Sequence, residues 1–360
     1  MIYEAFRKSL CWSLGVVLLV GPFSFPSQSD NWSYAYFFSG VGEFVKVEVA
    51  TNRVVARGSL LEVEEARHLF PPFFRETGIG VCCYDRNMGW LYVLAPKEAF
   101  LSWDKKGNAT ARYRVVIFEL PAFRLIGSAE LAEPVYKGPN LLLTPDGKRL
   151  LVSYKVVSDD EAYWVFIREI YETRGLKRIQ LKRIRVEQEP FDPKALARAR
   201  FTRKARFAAD GETIIDGFYE IVGDEVFPHR PAPWPEEVSK YKQTHPDFFV
   251  VRLDEGGRRL LLWELKQNQK VKGRYYQRYA TGRFALYEAL ARPRLREYRL
   301  AELEGSLPRV VAVTPGGEKV YFAVGKEKLY AIEVAKGMKA DRIDLGGLSA
   351  LHVTCVFADR

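Results

Sequence analysis

Three passages of the chain repeat one another: Leu143-Thr-Pro-Asp-Gly-Lys-Arg-Leu-Leu-Val-Ser-Tyr154, Phe207-Ala-Ala-Asp-Gly-Glu-Thr-Ile-Ile-Asp-Gly-Phe218 and Val313-Thr-Pro-Gly-Gly-Glu-Lys-Val-Tyr-Phe-Ala-Val324. Each is the end of an apolar strand, a turn rich in Pro, Asp and Gly, and a second strand. A unit this small leaves its apolar face in water unless neighbours stack on it. Repetition of this kind through 360 residues, 48% of them hydrophobic, predicts an all-β fold. The expected architecture is a single-domain β-propeller of six or seven four-stranded blades.

Alternation and turn residues place six blades along the chain. Tyr34–Ser39, Phe44–Ala50 and Arg53–Leu60 supply three strands of the first. Its innermost strand is expected from the last apolar run, Leu351–Phe357, whose pairing with the first three would close the ring and remove two open edges. A second blade is expected over Gly78–Leu131, with inner strand Ile79–Tyr84, and a third over Pro139–Val186. A fourth runs from Lys204 to Leu265, interrupted by the Pro-rich stretch Phe227–Pro235 and a short helix over Pro235–Lys242. Tyr276–Thr281, Arg283–Ala289 and Arg294–Leu303 make a fifth without an evident inner strand, and Arg309–Leu345 a sixth. The propeller domain is thus expected over residues 30–360, with insertions near 187–203 and 223–246.

At the amino terminus, Arg7 and Lys8 precede an apolar run from Leu10 to Val20, then Gly21, Pro22 and the small-residue site Ser27-Gln28-Ser29. This pattern reads as a signal peptide over residues 1–29, with an uncleaved membrane anchor through residues 10–22 as the alternative. Either places the protein in the periplasm or outside the cell. Cys82, Cys83 and Cys355 then meet an oxidising compartment. Neighbours on a strand face opposite sides, so Cys82 or Cys83, but not both, could bridge to Cys355; buried thiols are the other reading. No Cys-x-x-Cys occurs, so neither covalent haem nor a zinc knuckle is indicated.

Net charge is +10, and most of it is local. Between Arg174 and Arg206 there are twelve Lys or Arg and three acids, Glu187, Glu189 and Asp192. The plain reading is a long loop solvated by its own charges. The functional reading is a surface for an acidic protein partner or an anionic membrane, with Lys177, Arg178, Lys182 and Arg183 at its heart. Nucleic acid is not expected, because no recognition motif accompanies the charge.

The outer halves of the blades also rhyme: Val45-Lys-Val-Glu-Val-Ala-Thr-Asn-Arg-Val-Val-Ala-Arg-Gly58, Val116-Ile-Phe-Glu-Leu-Pro-Ala-Phe-Arg-Leu-Ile-Gly127 and Tyr330-Ala-Ile-Glu-Val-Ala-Lys-Gly-Met338. Together with the Thr-Pro-Asp-Gly turns, this pattern resembles exported propellers of the YVTN-repeat and quinoprotein amine dehydrogenase β-chain type. The resemblance covers nearly the whole chain beyond the leader. It implies seven blades as the usual count, a scaffold role beside a quinone-bearing subunit, and a vicinal Cys82–Cys83 disulfide of the kind some quinoprotein propellers carry. It is a resemblance of repeats, which specify architecture and not chemistry.

Few residues point to chemistry. Asp146 and Asp210, each followed by Gly, suit tight turns. Asp159, Asp160 and Glu161 lack the spacing of a calcium loop and read as a solvated hairpin. His68, His229, His245 and His352 form no His-x-x-x-His pair, so no metal site is expected. His229, Arg230 and Trp234 occupy the Pro-rich insertion, a candidate recognition loop. His352 could line the central channel or sit hydrogen-bonded in the core. Trp90, Trp103, Trp164 and Trp263 read as packing between blades. No Gly-x-Ser-x-Gly elbow, phosphate loop or dinucleotide fingerprint occurs, so no cofactor is indicated. The expected function is a non-catalytic binding or scaffold subunit. A lactonase-like or other hydrolytic propeller with a small-molecule ligand in the channel is the alternative.

Overall fold

The computed structural model describes residues 32–39, 42–70, 81–103, 109–135, 137–157, 163–187, 206–207, 213–216, 219–223, 225–228, 234–253, 258–267, 278–289, 293–306, 308–324, 328–334, 339–348 and 353–359. The chain separates into Met1–Asp30 and Asn31–Arg360, and the first unit lies outside the described residues.

Among the described residues, six four-stranded antiparallel sheets belong to a β-propeller. Blade 1 holds β1 (Tyr34–Phe38), β2 (Glu43–Glu48) and β3 (Val54–Ser59). A short helix, α1 (Glu64–Arg67), follows it. Blade 2 comprises β4 (Val81–Asp85), β5 (Trp90–Trp103), β6 (Ala109–Glu119) and β7 (Arg124–Glu130). Blade 3 comprises β8 (Lys137–Leu143), β9 (Arg149–Val157), β10 (Tyr163–Glu172) and β11 (Arg178–Glu187). Blade 4 comprises, among the described residues, β12 (Arg206–Phe207), β13 (Ile214–Asp216), β14 (Tyr219–Val222) and β15 (Glu225–Pro228). After helix α2 (Glu236–Thr244), blade 5 comprises β16 (Phe248–Arg252), β17 (Arg259–Gln267), β18 (Arg278–Glu288) and β19 (Arg294–Arg299). Blade 6 comprises β20 (Pro308–Val313), β21 (Lys319–Val324), β22 (Lys328–Glu333) and β23 (Lys339–Asp344). The last strand, β24 (Thr354–Ala358), pairs antiparallel with β1, Cys355 opposite Phe37, and completes blade 1 as its repeat pattern required.

Blades 4 and 5 divide differently from the sequence expectation. The strands within Phe248–Leu265 do not finish the fourth blade; β16 and β17 are the inner strands that the fifth was missing. Blade 4 closes on itself through the β14–β15 hairpin, with Tyr219 opposite Pro228. The expected pair Tyr276–Thr281 and Arg283–Ala289 is one strand, β18, with a register shift against β17 between Trp263 and Leu265.

The repeated turns explain themselves atom by atom. Thr144 Oγ1 accepts from Arg149 N at 3.0 Å and donates to Arg149 O at 3.1 Å. Asp146 Oδ1 accepts from Lys148 N and from Thr144 Oγ1. Blade 6 repeats the pattern with Thr314 and Lys319. Gly316 stands where the Asp should be, and Glu318 supplies the missing carboxylate to Thr314 Oγ1 at 3.2 Å. Gly147 and Gly317 both take left-handed backbone, φ 70° and 72°, which side chains with a Cβ rarely adopt.

Among the described residues, apolar layers sit between blades 1 and 2, 2 and 3, 3 and 4, 5 and 6, and 6 and 1. Tyr36, Phe38, Phe44, Phe118 and Phe123 fill the layer between blades 1 and 2. Trp263, Phe284, Phe322 and Ile332 fill that between blades 5 and 6. Trp90 packs at the edge of the layer between blades 2 and 3, while the side chains of Trp103 and Trp164 lie outside those described.

Cys82, Cys83 and Cys355 stand in this structure as thiols, the reading set beside the bridge and the vicinal ring. The cause is strand alternation. Val356 faces the layer between blades 1 and 2, where Cys82 sits, so its neighbour Cys355 must face the opposite layer, toward blade 6. Cys83 lies in a third layer, between blades 2 and 3. The thiols therefore occupy three separate layers.

Candidate partner-binding surface

The basic segment begins on the outer strand of blade 3. The turn after β10 is tied down by Thr173, whose Oγ1 donates to Gly147 O at 2.9 Å and Lys148 O at 3.1 Å. From there β11 runs back along β10, with Lys182 opposite Arg168 and Arg183 opposite Ile167. Ile184 points inward to Leu151, Phe166, Ile214 and Ile221, the apolar contact between blades 3 and 4. Ile179 and Leu181 remain 43% and 41% exposed.

The four cations expected here do not share one role. Arg178 Nη1 donates at 3.0 Å to Glu169 Oε2, a carboxylate with no exposed surface. Tyr171 OH donates to the same oxygen at 2.6 Å, while Tyr154 OH and Ala132 N donate to Oε1 at 2.6 and 2.8 Å. Four donors saturate the carboxylate, and Arg178 balances its charge. Glu169 holds the Arg178 guanidinium above its already high range, and burial together with Glu169 pushes both tyrosines well above theirs. Arg183 pairs with Glu133 on the blade 2–3 connection at 2.7 Å. Lys177 is exposed and Lys182 half-buried, the latter on the opposite face of β11 from Arg183.

Sequence reasoning grouped Arg178 with its neighbours because Glu169 is nine positions away. A signal was present: in Val165, Ile167, Glu169 and Tyr171 an acid interrupts an inward apolar alternation, and a buried acid requires a cation.

The second expected surface is partly visible. His229 and Arg230 lie outside the described residues. Trp234 and Tyr241 pack, with Val238 of α2, over Phe248, Leu260 and Leu262 of blade 5. His245 stacks on Tyr241 with ring centroids 4.3 Å apart, and Tyr241 OH donates to Glu297 at 2.8 Å. Trp234 thus helps hold the helix to its blade.

Of the remaining candidates, Asp146 is a turn residue as described above. Asp210, Asp159, Asp160, Glu161 and His352 lie outside the described residues, and His68 is exposed beyond α1. Among the described residues no three His, Cys, Asp or Glu gather as metal ligands, and no helix is long and apolar enough to cross a membrane. A cavity of ≈ 400 Å³ opens beside Phe44, Ser59, Glu62, Phe123 and Arg124, and none of Lys177, Arg178, Lys182, Arg183 or Trp234 lines it.

The sequence matches no protein-family model and no curated protein. Three solved structures are similar in outline. The dihydro-heme d1 dehydrogenase NirN in complex with DHE aligns over 92% of this chain and 76% of its own, at 10% identity and TM-score 0.44. TolB from Acinetobacter baumannii aligns over 90% and 66%, at 13% identity and TM-score 0.42. The β-propeller domain of the Trilobed protease from Pyrococcus furiosus aligns over 84% and 75%, at 12% identity and TM-score 0.33. Likeness this distant says nothing of chemistry.

Proposed function

We propose that the chain is an exported propeller that acts as a binding or scaffold subunit of a periplasmic or membrane-associated complex and is not catalytic by itself. The observation that carries this reading is the outer strand β11 with the turn before it, where Lys177, Lys182 and Arg183 adjoin exposed Ile179 and Leu181. Cations beside apolar side chains on a rigid sheet suit an acidic protein surface, because charge speeds encounter and apolar contact slows release. The leader-like residues 1–29 support export.

The test is native purification followed by size exclusion and mass spectrometry, with wild-type chain compared to a Lys177→Ala, Lys182→Ala, Arg183→Ala triple variant. Arg178 is left intact because Glu169 depends on it. A stoichiometric partner that elutes with the wild type and is lost from a folded triple variant supports the reading. A partner retained by the variant removes the basic strand from it, and a monomer in both cases moves the function to a small molecule at the channel.

A further inference from the structure

We infer that β11 receives an extended acidic peptide along its outer edge, as a fifth strand of blade 3. This inference rests on the binding reading above and names the kind of partner that would fit it. Blade 3 is ordered β11-β10-β9-β8, so β11 has β10 on one side and no strand among the described residues on the other. An outermost strand presents backbone N–H and C=O groups that an incoming strand can pair.

Every blade has such an edge, and β11 differs from the rest in three respects. It is ten residues long, against six, seven and six for β3, β7 and β19, whose ends lie among the described residues. That length admits a full peptide ladder. It carries both Ile179 and Leu181 among the few large apolar side chains that are exposed. Leu181 lies opposite Glu169, and Ile179 is the extra residue where the register shifts between Arg178 opposite Tyr171 and Gln180 opposite Ile170. The segment from residue 177 to 187 also has five cations, Lys177, Arg178, Lys182, Arg183 and Arg185, of which Arg178 is bound to Glu169 and Arg183 to Glu133, against the single acid Glu187 within it.

Lysine on an edge strand ordinarily prevents pairing with other edges. The same charge selects: a basic strand is repelled, a neutral one gains no attraction, and an acidic one is drawn in. The geometry favours a peptide over a lipid surface. Lys182 and Arg183 lie on opposite faces of the strand, so a planar layer of headgroups meets one set of cations, whereas a strand lying alongside is within reach of both.

The experiment measures fluorescence anisotropy of a labelled peptide of alternating Glu and Val with the full chain. Two further peptides are N-methylated at odd or at even positions, and phosphatidylglycerol vesicles serve as the lipid probe. A strand uses only every second N–H toward its neighbour. The parent peptide should bind, one methylated form should lose roughly tenfold or more in affinity, and the other should keep it. Ile179→Ser with Leu181→Ser should weaken the parent peptide while leaving the thermal midpoint in place. Equal binding of both methylated forms, or binding of vesicles but not peptide, overturns strand addition. If a native partner depends on Lys177, Lys182 and Arg183 while the methylated pair shows no difference, the binding reading stands and strand addition falls. If neither partner nor peptide depends on charge, both fall.

Discussion

The contacts between blades 5 and 6 and between blades 3 and 4 solve the same packing problem with different materials. Between blades 5 and 6, Trp263 meets Phe322 edge-to-face at 5.7 Å, and Phe284 meets Phe322 at 6.2 Å. Between blades 3 and 4 the apolar contact is Leu151, Phe166 and Ile184 against Ile214 and Ile221. The same face of blade 3 carries Ser153, Lys155 and Arg168. Lys155 Nζ lies 4.7 Å above the Phe166 ring, and Arg168 Nη1 crosses to Gly223 O at 2.8 Å. Among the described residues, polar and cation–π contacts accompany the aliphatic ones there. The difference teaches that, among the described residues, the ring has a strongly packed aromatic side and a weaker aliphatic and polar one, and that the basic strand borders the weaker.

The largest effect is expected on the strong side. Trp263→Ala empties fully buried aromatic volume and should cost about 3–5 kcal/mol in denaturant unfolding. A loss below about 1 kcal/mol would erase the contrast. Next comes the Glu169 cluster, at the inner border of the basic strand. Glu169→Gln keeps the size of the side chain but leaves Arg178 without its counter-charge, and should cost roughly 2–4 kcal/mol. The tyrosines around it give a pH signature. The raised values of Tyr154 and Tyr171 in the folded chain favour their neutral forms, so their contribution is complete below the ordinary value of 10.0 and is lost as pH rises beyond it. Thermal midpoints should fall above about pH 10, and less so in Tyr171→Phe.

On the weak side, Ile214→Ala should cost about 2 kcal/mol, less than Trp263→Ala. Hydrogen exchange sharpens the comparison: amides of Ile214–Asp216 should exchange before those of Lys319–Val324, whose side chains are all buried. Equal protection would mean that the ring unfolds as one unit. The smallest effect is expected at Lys177→Ala, within about 0.5 kcal/mol of wild type, because the side chain is exposed on the surface.

Legibility followed the range of the interaction. The turn at Thr144–Lys148, the strand pairs of blades 3 and 6, and closure by the last strand were readable, because each is written in contiguous residues or in an incomplete blade awaiting its partner. The split of blades 4 and 5 was not. Local pattern marks Phe248–Arg252 and Arg259–Gln267 as strands without saying which blade they join, and only the pairing of β17 with β18 assigns them. At the candidate surface the row of cations was visible, but their separation into Arg178 bound to Glu169, Arg183 bound to Glu133 and exposed Lys177 was not. Each partner lies on another strand or connection, where only the register brings it near.

By itself the sequence determined the propeller repeat, the turn chemistry and the place where the ring closes, since backbone preferences and period-two alternation act between neighbours. Tertiary structure decided which layer each side chain enters and which charge meets which. The register of β24 against β1 sets Cys355 away from Cys82, and the pairing of β10 with β9 and β11 gathers Tyr154, Tyr171 and Arg178 around Glu169. Those outcomes depend on residues far apart in the chain, and a buried charge or thiol is defined by what the folded sheets bring to it.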